Sequence, residues 1–226
     1  MKPDRAVQVY ANGKDAEPSV VSDAVLSGAY ARPYIIDTRV TSPTIGVHFC
    51  AGGATPLLGL PAQELANQHV SLEEIWGREA AIIHERLITS PSPEAMFQTL
   101  EQALLKRLTD PGEEFGATNQ AVEIFATSDL SAKSVRESMG FSAKRFIRLF
   151  QDSVGLTPKL FCRVQRFQRV LDELAPRPCH DWAQLALHSG YYDQPHLIHD
   201  FREFAGVTPA DYKPTRPDHK NHMPLP

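Results

Sequence analysis

The chain has 226 residues, a net charge of −4 and three cysteines. That length holds one large domain or two modest ones. No apolar run approaches the roughly 20 residues that a membrane-spanning helix needs, and the first residues lack the apolar core of a secretory signal. Cys50, Cys162 and Cys179 lie far apart without a C-x-x-C pair, and the odd count leads to the expectation of reduced, mostly buried thiols in a cytoplasmic protein with no membrane partner.

In chain order, Val7-Gln8-Val9-Tyr10, Ser19–Leu26, Tyr34–Asp37 and Thr44–Phe49 are β-prone runs separated by Gly and Pro, so a small β unit is predicted first. From Pro61 the pattern turns helical. Ser71-Leu72-Glu73-Glu74 reads as a capping box before Ile75-Trp76, and Glu79–Ile88 carries apolar residues at helical spacing. Ser90-Pro91-Ser92-Pro93 breaks the chain, and Pro93 suits the first turn of a helix reaching about Leu108. Its stripe is Leu100, Leu104, Leu105 and Leu108. Thr109-Asp110-Pro111-Gly112-Glu113-Glu114 reads as a linker. The expected organisation is therefore 1–110 as a sensor or dimerisation domain, 111–118 as a linker, 119–213 as an all-helical domain and 214–226 as a disordered, proline-containing tail. Residues 1–118 hold 9 Lys/Arg against 15 Asp/Glu, net −6, whereas 119–213 hold 12 against 11, net +1. Charge alone does not name nucleic acid as a partner.

The most specific feature is a repeat. Gly155-Leu156-Thr157-Pro158 returns as Gly206-Val207-Thr208-Pro209, and Gly140-Phe141 through Phe150 has its counterpart in Gly190-Tyr191 through Phe201. Agreement in both residue type and spacing outranks any single motif. The repeated unit reads as helix, tight turn, helix, which is a helix-turn-helix whose second helix can enter the DNA major groove. Gly140 suits a left-handed cap and Ser142 an N-cap. On a helical wheel Phe146, Leu149 and Phe150 share one face; Lys144, Arg148 and Gln151 lie opposite, flanked by Arg145 and Ile147. Arg can pair with guanine, Gln with adenine, and Ile can touch a thymine methyl. A basic helix face is ordinarily just solvated; the repeat and the turn chemistry favour DNA. In the second unit, which starts at His180, Ala186 allows close helix approach, Asp193 is the expected N-cap, and Leu197, Asp200, Phe201 and Phe204 lie inward or beside the core. Pro195, His199 and Arg202 point out, with Gln194 at the tip. Between the units, Thr157-Pro158 begins a helix to about Leu174, a rod near 25 Å long at about 1.5 Å per residue. Arg163, Arg166 and Arg169 project from it, towards phosphates or acidic neighbours.

Residues 119–212 resemble the DNA-binding domain of AraC/XylS-type transcription regulators. The match is densest over Gly190-Tyr191-Tyr192-Asp193-Gln194-Pro195-His196-Leu197-Ile198-His199-Asp200-Phe201-Arg202-Glu203-Phe204-Ala205-Gly206-Val207-Thr208-Pro209, and Phe146-Ile147-Arg148-Leu149-Phe150 supports the first half. One departure is Arg136, four residues before Gly140, where the family places a small residue. Gly46-Val47-His48-Phe49 with Pro56–Leu65 resembles the N-terminal domain of a subgroup of these regulators, an abbreviated cupin-like β unit followed by helices. The resemblance implies an α+β chain with a double helix-turn-helix domain. It implies double-stranded DNA as partner, read by Lys144, Arg145, Ile147, Arg148, Gln151, Gln194, His196, His199 and Arg202. It further implies RNA polymerase as a partner, and a small-molecule effector or a homodimer through the first half.

Signals for catalysis are weak. His48 and Cys50 are two apart on an expected strand and read most simply as core residues. His196 and His199 sit at a spacing metals can use, but inside the recognition helix, and His219 and His222 lie in the tail. Gly52-Gly53 is most simply a turn. There is no phosphate-binding glycine loop, nucleophile elbow or H-E-x-x-H, so no metal, cofactor or enzyme activity is expected. The alternative is a DNA-targeted enzyme, such as a repair methyl acceptor using Cys50, which requires an activated thiol.

Overall fold

The computed structural model describes residues 8–10, 19–20, 22–37, 44–110, 112–128, 130–174 and 181–224. Val7, Pro111, Cys179 and His180 lie outside the described residues. Two small antiparallel sheets open the chain. β1 (Gln8–Tyr10) lies between β2 (Ser19–Val20) and β4 (Ile35–Ile36), while β3 (Val25–Ser27) pairs with β5 (His69–Ser71), setting Leu26 opposite Val70. The run 44–50 forms no strand, contrary to the β expectation there; His48 and Cys50 sit exposed on irregular chain. The partner of β3 is instead β5, from a stretch in which no strand is predicted.

The remainder is helical. α1 (Thr55–Leu58) and a 3-10 turn at Ala62–Leu65 precede β5. Ser71 caps α2 (Leu72–Trp76) by accepting the Glu73 N–H at 3.2 Å, as the capping sequence implies. α3 (Arg78–Ile88) and α4 (Pro93–Arg107) form a hairpin with Ala80, Ile83 and Ala103 inside. Glu79 ties it together, accepting from Lys106 at 2.8 Å and Arg107 at 2.6 Å. These two cations hold the Glu79 carboxyl below the usual glutamate range, Lys106 foremost.

The expected linker is a helix. α5 (Gly112–Thr127) begins where the chain leaves Asp110, whose carboxylate accepts the Gly112 N–H at 3.0 Å. After it come α6 (Ala132–Ser138), α7 (Ala143–Val154), α8 (Pro158–Leu174), α9 (Trp182–His188) and α10 (Gln194–Ala205). Two apolar clusters hold them. One joins Ala121 and Phe125 of α5, Val135 of α6, Phe146, Phe150 and Val154 of α7 and Phe161 of α8. The other joins Phe167, Val170 and Leu171 of α8, Leu185 and Ala186 of α9, and Leu197, Phe201 and Phe204 of α10. α8 therefore runs through both, and Ala31, Leu160 and Val164 lie against both clusters.

The two halves touch. The Ala62–Leu65 turn packs on α7, Gln63 donates to Asp152 at 2.9 Å, and the Thr55 hydroxyl donates to the Ser153 carbonyl at 2.9 Å. The tail, for which proline content suggests disorder, is described as far as residue 224. Tyr212 donates to the Lys220 carbonyl, Lys220 pairs with Asp172 of α8, and Gln168 donates to Asn221.

Candidate nucleic-acid interface

Each helix-turn-helix is built by the same local chemistry. In the first unit α6 ends in Gly140 at φ 71°, where the Phe141 N–H returns to the Arg136 carbonyl and the Gly140 N–H to that of Glu137. In the second, α9 ends in Gly190 at φ 82°, with the Tyr191 N–H on the Ala186 carbonyl and the Gly190 N–H on that of Leu187. Glycine is needed at both turns because the left-handed region penalises a Cβ. Ser142 then caps α7 through the Arg145 N–H, and Asp193 caps α10 through the His196 N–H. Both recognition helices end at left-handed glycines, Gly155 at φ 85° and Gly206 at φ 74°.

The structure seats the expected inward residues in the core: Phe146, Leu149 and Phe150 on α7, and Leu197, Phe201 and Phe204 on α10. On the outer face of α7, Lys144, Arg145, Ile147 and Arg148 are exposed and Gln151 is half-buried. Among the described residues neither Lys144 nor Arg148 has an ion-pair partner in the chain. Arg145 differs: it lies 3.4 Å from Glu114 and its guanidinium sits 5.1 Å over the Phe141 ring. On α10, His199 and Arg202 are exposed, and Gln194 and His196 half-buried, with His196 edge-on to Tyr191. The nine expected reading residues thus fall on two helices of identical local build. A face of unpaired Lys and Arg beside an exposed Ile is chemically suited to phosphates, guanine and thymine methyls.

One residue escaped the sequence reading. The turn of the second unit is a residue longer than that of the first, Gly190-Tyr191-Tyr192-Asp193 against Gly140-Phe141-Ser142, and the extra residue is Tyr192. Its side chain is 86% exposed at the tip of α10. Writing the two repeats under one another exposes the insertion.

The arginines of α8 do not point at open solvent. Arg163 donates to Asp200 (2.6 Å) and to Glu203, and its guanidinium lies 5.0 Å over the Phe204 ring. Asp200 is 1% exposed. The hydrogen bonds that Arg163 donates to Glu203, and then those to Asp200, hold the guanidinium even more firmly protonated than usual. Arg166 lies over the Tyr191 ring at 5.3 Å. Of the two partners the sequence leaves open for Arg163, the acidic neighbour is the one found. Burial, then the Asp200 charge, pushes the Tyr191 hydroxyl up. Arg136 is accommodated by pairing with Glu137 at 2.6 Å.

Among the described residues, His199, Asp200 and Glu203 form a group with metal-like spacing, and Arg163 pairs with one oxygen of Asp200 and with Glu203. Cys50 is exposed and belongs to no such group, so the requirement of an activated thiol finds no support there.

Comparison with known families gives two matches. Residues 136–214 match a helix-turn-helix domain, spanning both units described above, and residues 3–71 match a domain of unknown function (DUF6597). No curated protein and no solved structure matches the chain.

Proposed function

We propose that this transcription regulator, whose DNA-binding domain is a helix-turn-helix pair of AraC/XylS type, lays α7 and α10 into two neighbouring major-groove segments of duplex DNA and takes its control from the first half. The observation that carries the reading is the pair of outward faces on two identically capped helices joined by one continuous rod. α8 has 17 residues, and at about 1.5 Å rise per residue it spans about 25 Å. That is the right order to place two helices in successive grooves, roughly 34 Å apart. Lys144, Arg145, Ile147, Arg148 and Gln151 read from α7. Gln194, His196, His199 and Arg202 contact the DNA from α10, His199 and Arg202 reaching bases or phosphates, with Tyr192 beside them.

The first half is the seat of effector binding or self-association, and RNA polymerase is the partner through which bound protein acts on transcription. Support for the effector comes from a groove of about 470 Å3 where α4 meets the 47–57 stretch. Its lining includes Phe49, Leu57, Phe97, Leu100 and Leu104, with Glu101 as its one charge. Such a surface suits a largely apolar ligand with a donor for the carboxylate. The cupin-like character of this half rests on sequence resemblance alone. Footprinting of the full chain on genomic fragments tests the reading. A protected region covering two adjacent groove segments, weakening linearly in log affinity with log salt, is the expected outcome; uniform, sequence-blind protection overturns it.

A further inference from the structure

The repeated glycines that end α7 and α10 are both approached by one short piece of the first half, Gly155 also by the Ala62 carbonyl of the 3-10 turn. Ala29 Cβ lies 3.4 Å from where a Cβ on Gly155 would sit, and Pro33 Cγ lies 3.3 Å from the same point on Gly206. Between them, Ala31 packs against both apolar clusters of the DNA-binding half. The period is that of extended chain, in which alternate residues face opposite ways. Residues 29, 31 and 33 face the two helix-turn-helix units, while Tyr30 and Tyr34 turn the other way and pack on the ring of His69, at 4.7 and 4.6 Å.

This ribbon is anchored in its own half. The Gly28 N–H donates to the Gln68 carbonyl (3.0 Å), the Asn67 N–H to the Ala29 carbonyl (2.9 Å), and the Ala31 N–H to Asn67 Oδ1 (2.9 Å). Asn67 takes these partners from the left-handed region, at φ 55°, where asparagine is among the best tolerated non-glycine residues. Within the DNA-binding half, α10 is locked to α8 through Arg163, whereas α7 meets α8 through Phe150 against Phe161 and through the Gly155-Leu156-Thr157 turn. The ribbon bridges the two units, with Ala29 and Pro33 lying beside the glycines that end both helices.

We propose that the Gly28–Tyr34 ribbon, with Asn67 as its positioning residue, sets the separation of the two recognition helices and so selects the spacing between the two base elements in DNA. The inference rests on the proposed reading of DNA by α7 and α10. It gives the first half a direct route to the DNA: whatever shifts the Tyr30–Tyr34–His69 stack shifts the ribbon, and with it the distance between the two reading faces.

The test is a binding selection with the full chain on duplexes whose two base elements are fixed while the spacer varies one base pair at a time. Wild type selects one spacer. Asn67→Ala removes the acceptor of the Ala31 N–H; its discrimination against neighbouring spacers falls about fivefold, at the lower end of site-to-site couplings, with base preference inside each element unchanged. Asn67→Asp keeps the acceptor and restores the narrow profile. A narrow profile in Asn67→Ala, or an equal loss of affinity at every spacer, overturns the proposal. Should Asn67→Ala fail to fold, Pro33→Ala, at an exposed position, removes the Cγ that lies nearest Gly206 and is read the same way. A wild type that binds specific DNA without any spacer preference defeats this inference alone, whereas one that binds no specific DNA defeats the proposed function beneath it.

Discussion

The two helix-turn-helix units share their turn glycines and cap positions and differ most in chemistry at one buried position. Counting from the capping residues Ser142 and Asp193, Leu149 of the first unit corresponds to Asp200 of the second. Both side chains are buried. The first unit closes its core with apolar and aromatic contacts: Phe125, Phe150 and Phe161 meet one another, and Phe146 joins them through Phe150. The second inserts a carboxylate and draws Arg163 across from α8 to meet it. The same substitution of strategy shows outside: Lys144, Arg145 and Arg148 occupy the positions of Pro195, His196 and His199. Turn glycines and caps dictate the geometry of such a unit; what fills its core and covers its face is free to diverge. The first unit carries more positive charge on its outer face, and the second holds an ion pair in its core.

That contrast can be broken at the core. Phe150 and Phe201 correspond in the repeat and are 1% and 0% exposed. Phe150→Ala and Phe201→Ala should each cost about 3–5 kcal/mol, measured by denaturant unfolding. Near-equal losses show that the aromatic keystone is common to both units; a silent variant disproves the shared core face.

Arg163→Ala should distinguish the units. It strands Asp200 in an apolar surround, at a cost of about 3 kcal/mol, the lower end for breaking a buried pair. Replacing both partners, Arg163→Met with Asp200→Leu, makes the second unit imitate the first. Melting of the double variant should recover most of that loss; if it does not, the ion pair contributes more than the apolar solution of the first unit.

The reading faces give the smallest effects. Arg148→Ala should relax preference at one base pair by about 1–3 kcal/mol, resolved by competition binding against single-base variants of the site. Arg202→Ala, on the less basic face, should weaken binding by less and evenly across sequences, as a phosphate contact does. Equal, base-specific losses in both would erase the asymmetry.

Much of this was legible before any coordinates. The repeat, the caps Ser142 and Asp193, the glycine turns and the inward Phe residues follow from local rules, and each is found in place. The stretch 109–114 shows where such rules are ambiguous. Asp, Pro, Gly and Glu mark a linker, yet Asp110 as a cap with Glu113 and Glu114 in the first turn is equally a helix start, and Phe125 in the core decides for the helix. The pairing of β3 with β5 was hidden because the strands are short and lie more than 40 residues apart. Arg163 with Asp200 was hidden for the same reason: no periodicity links positions on α8 and α10. The run 44–49 is β-prone by composition but pairs with no strand among the described residues.

The three residues that lie against both clusters, Ala31, Leu160 and Val164, carry a thermodynamic consequence. A fold with two separate cores can lose one and keep the other, populating half-open forms. Here, opening either unit strips apolar cover from side chains that also line its neighbour, so each partial opening is charged with part of the cost of the next. The two units therefore rise and fall together as one cooperative block, although the chain reads like two copies of one small motif.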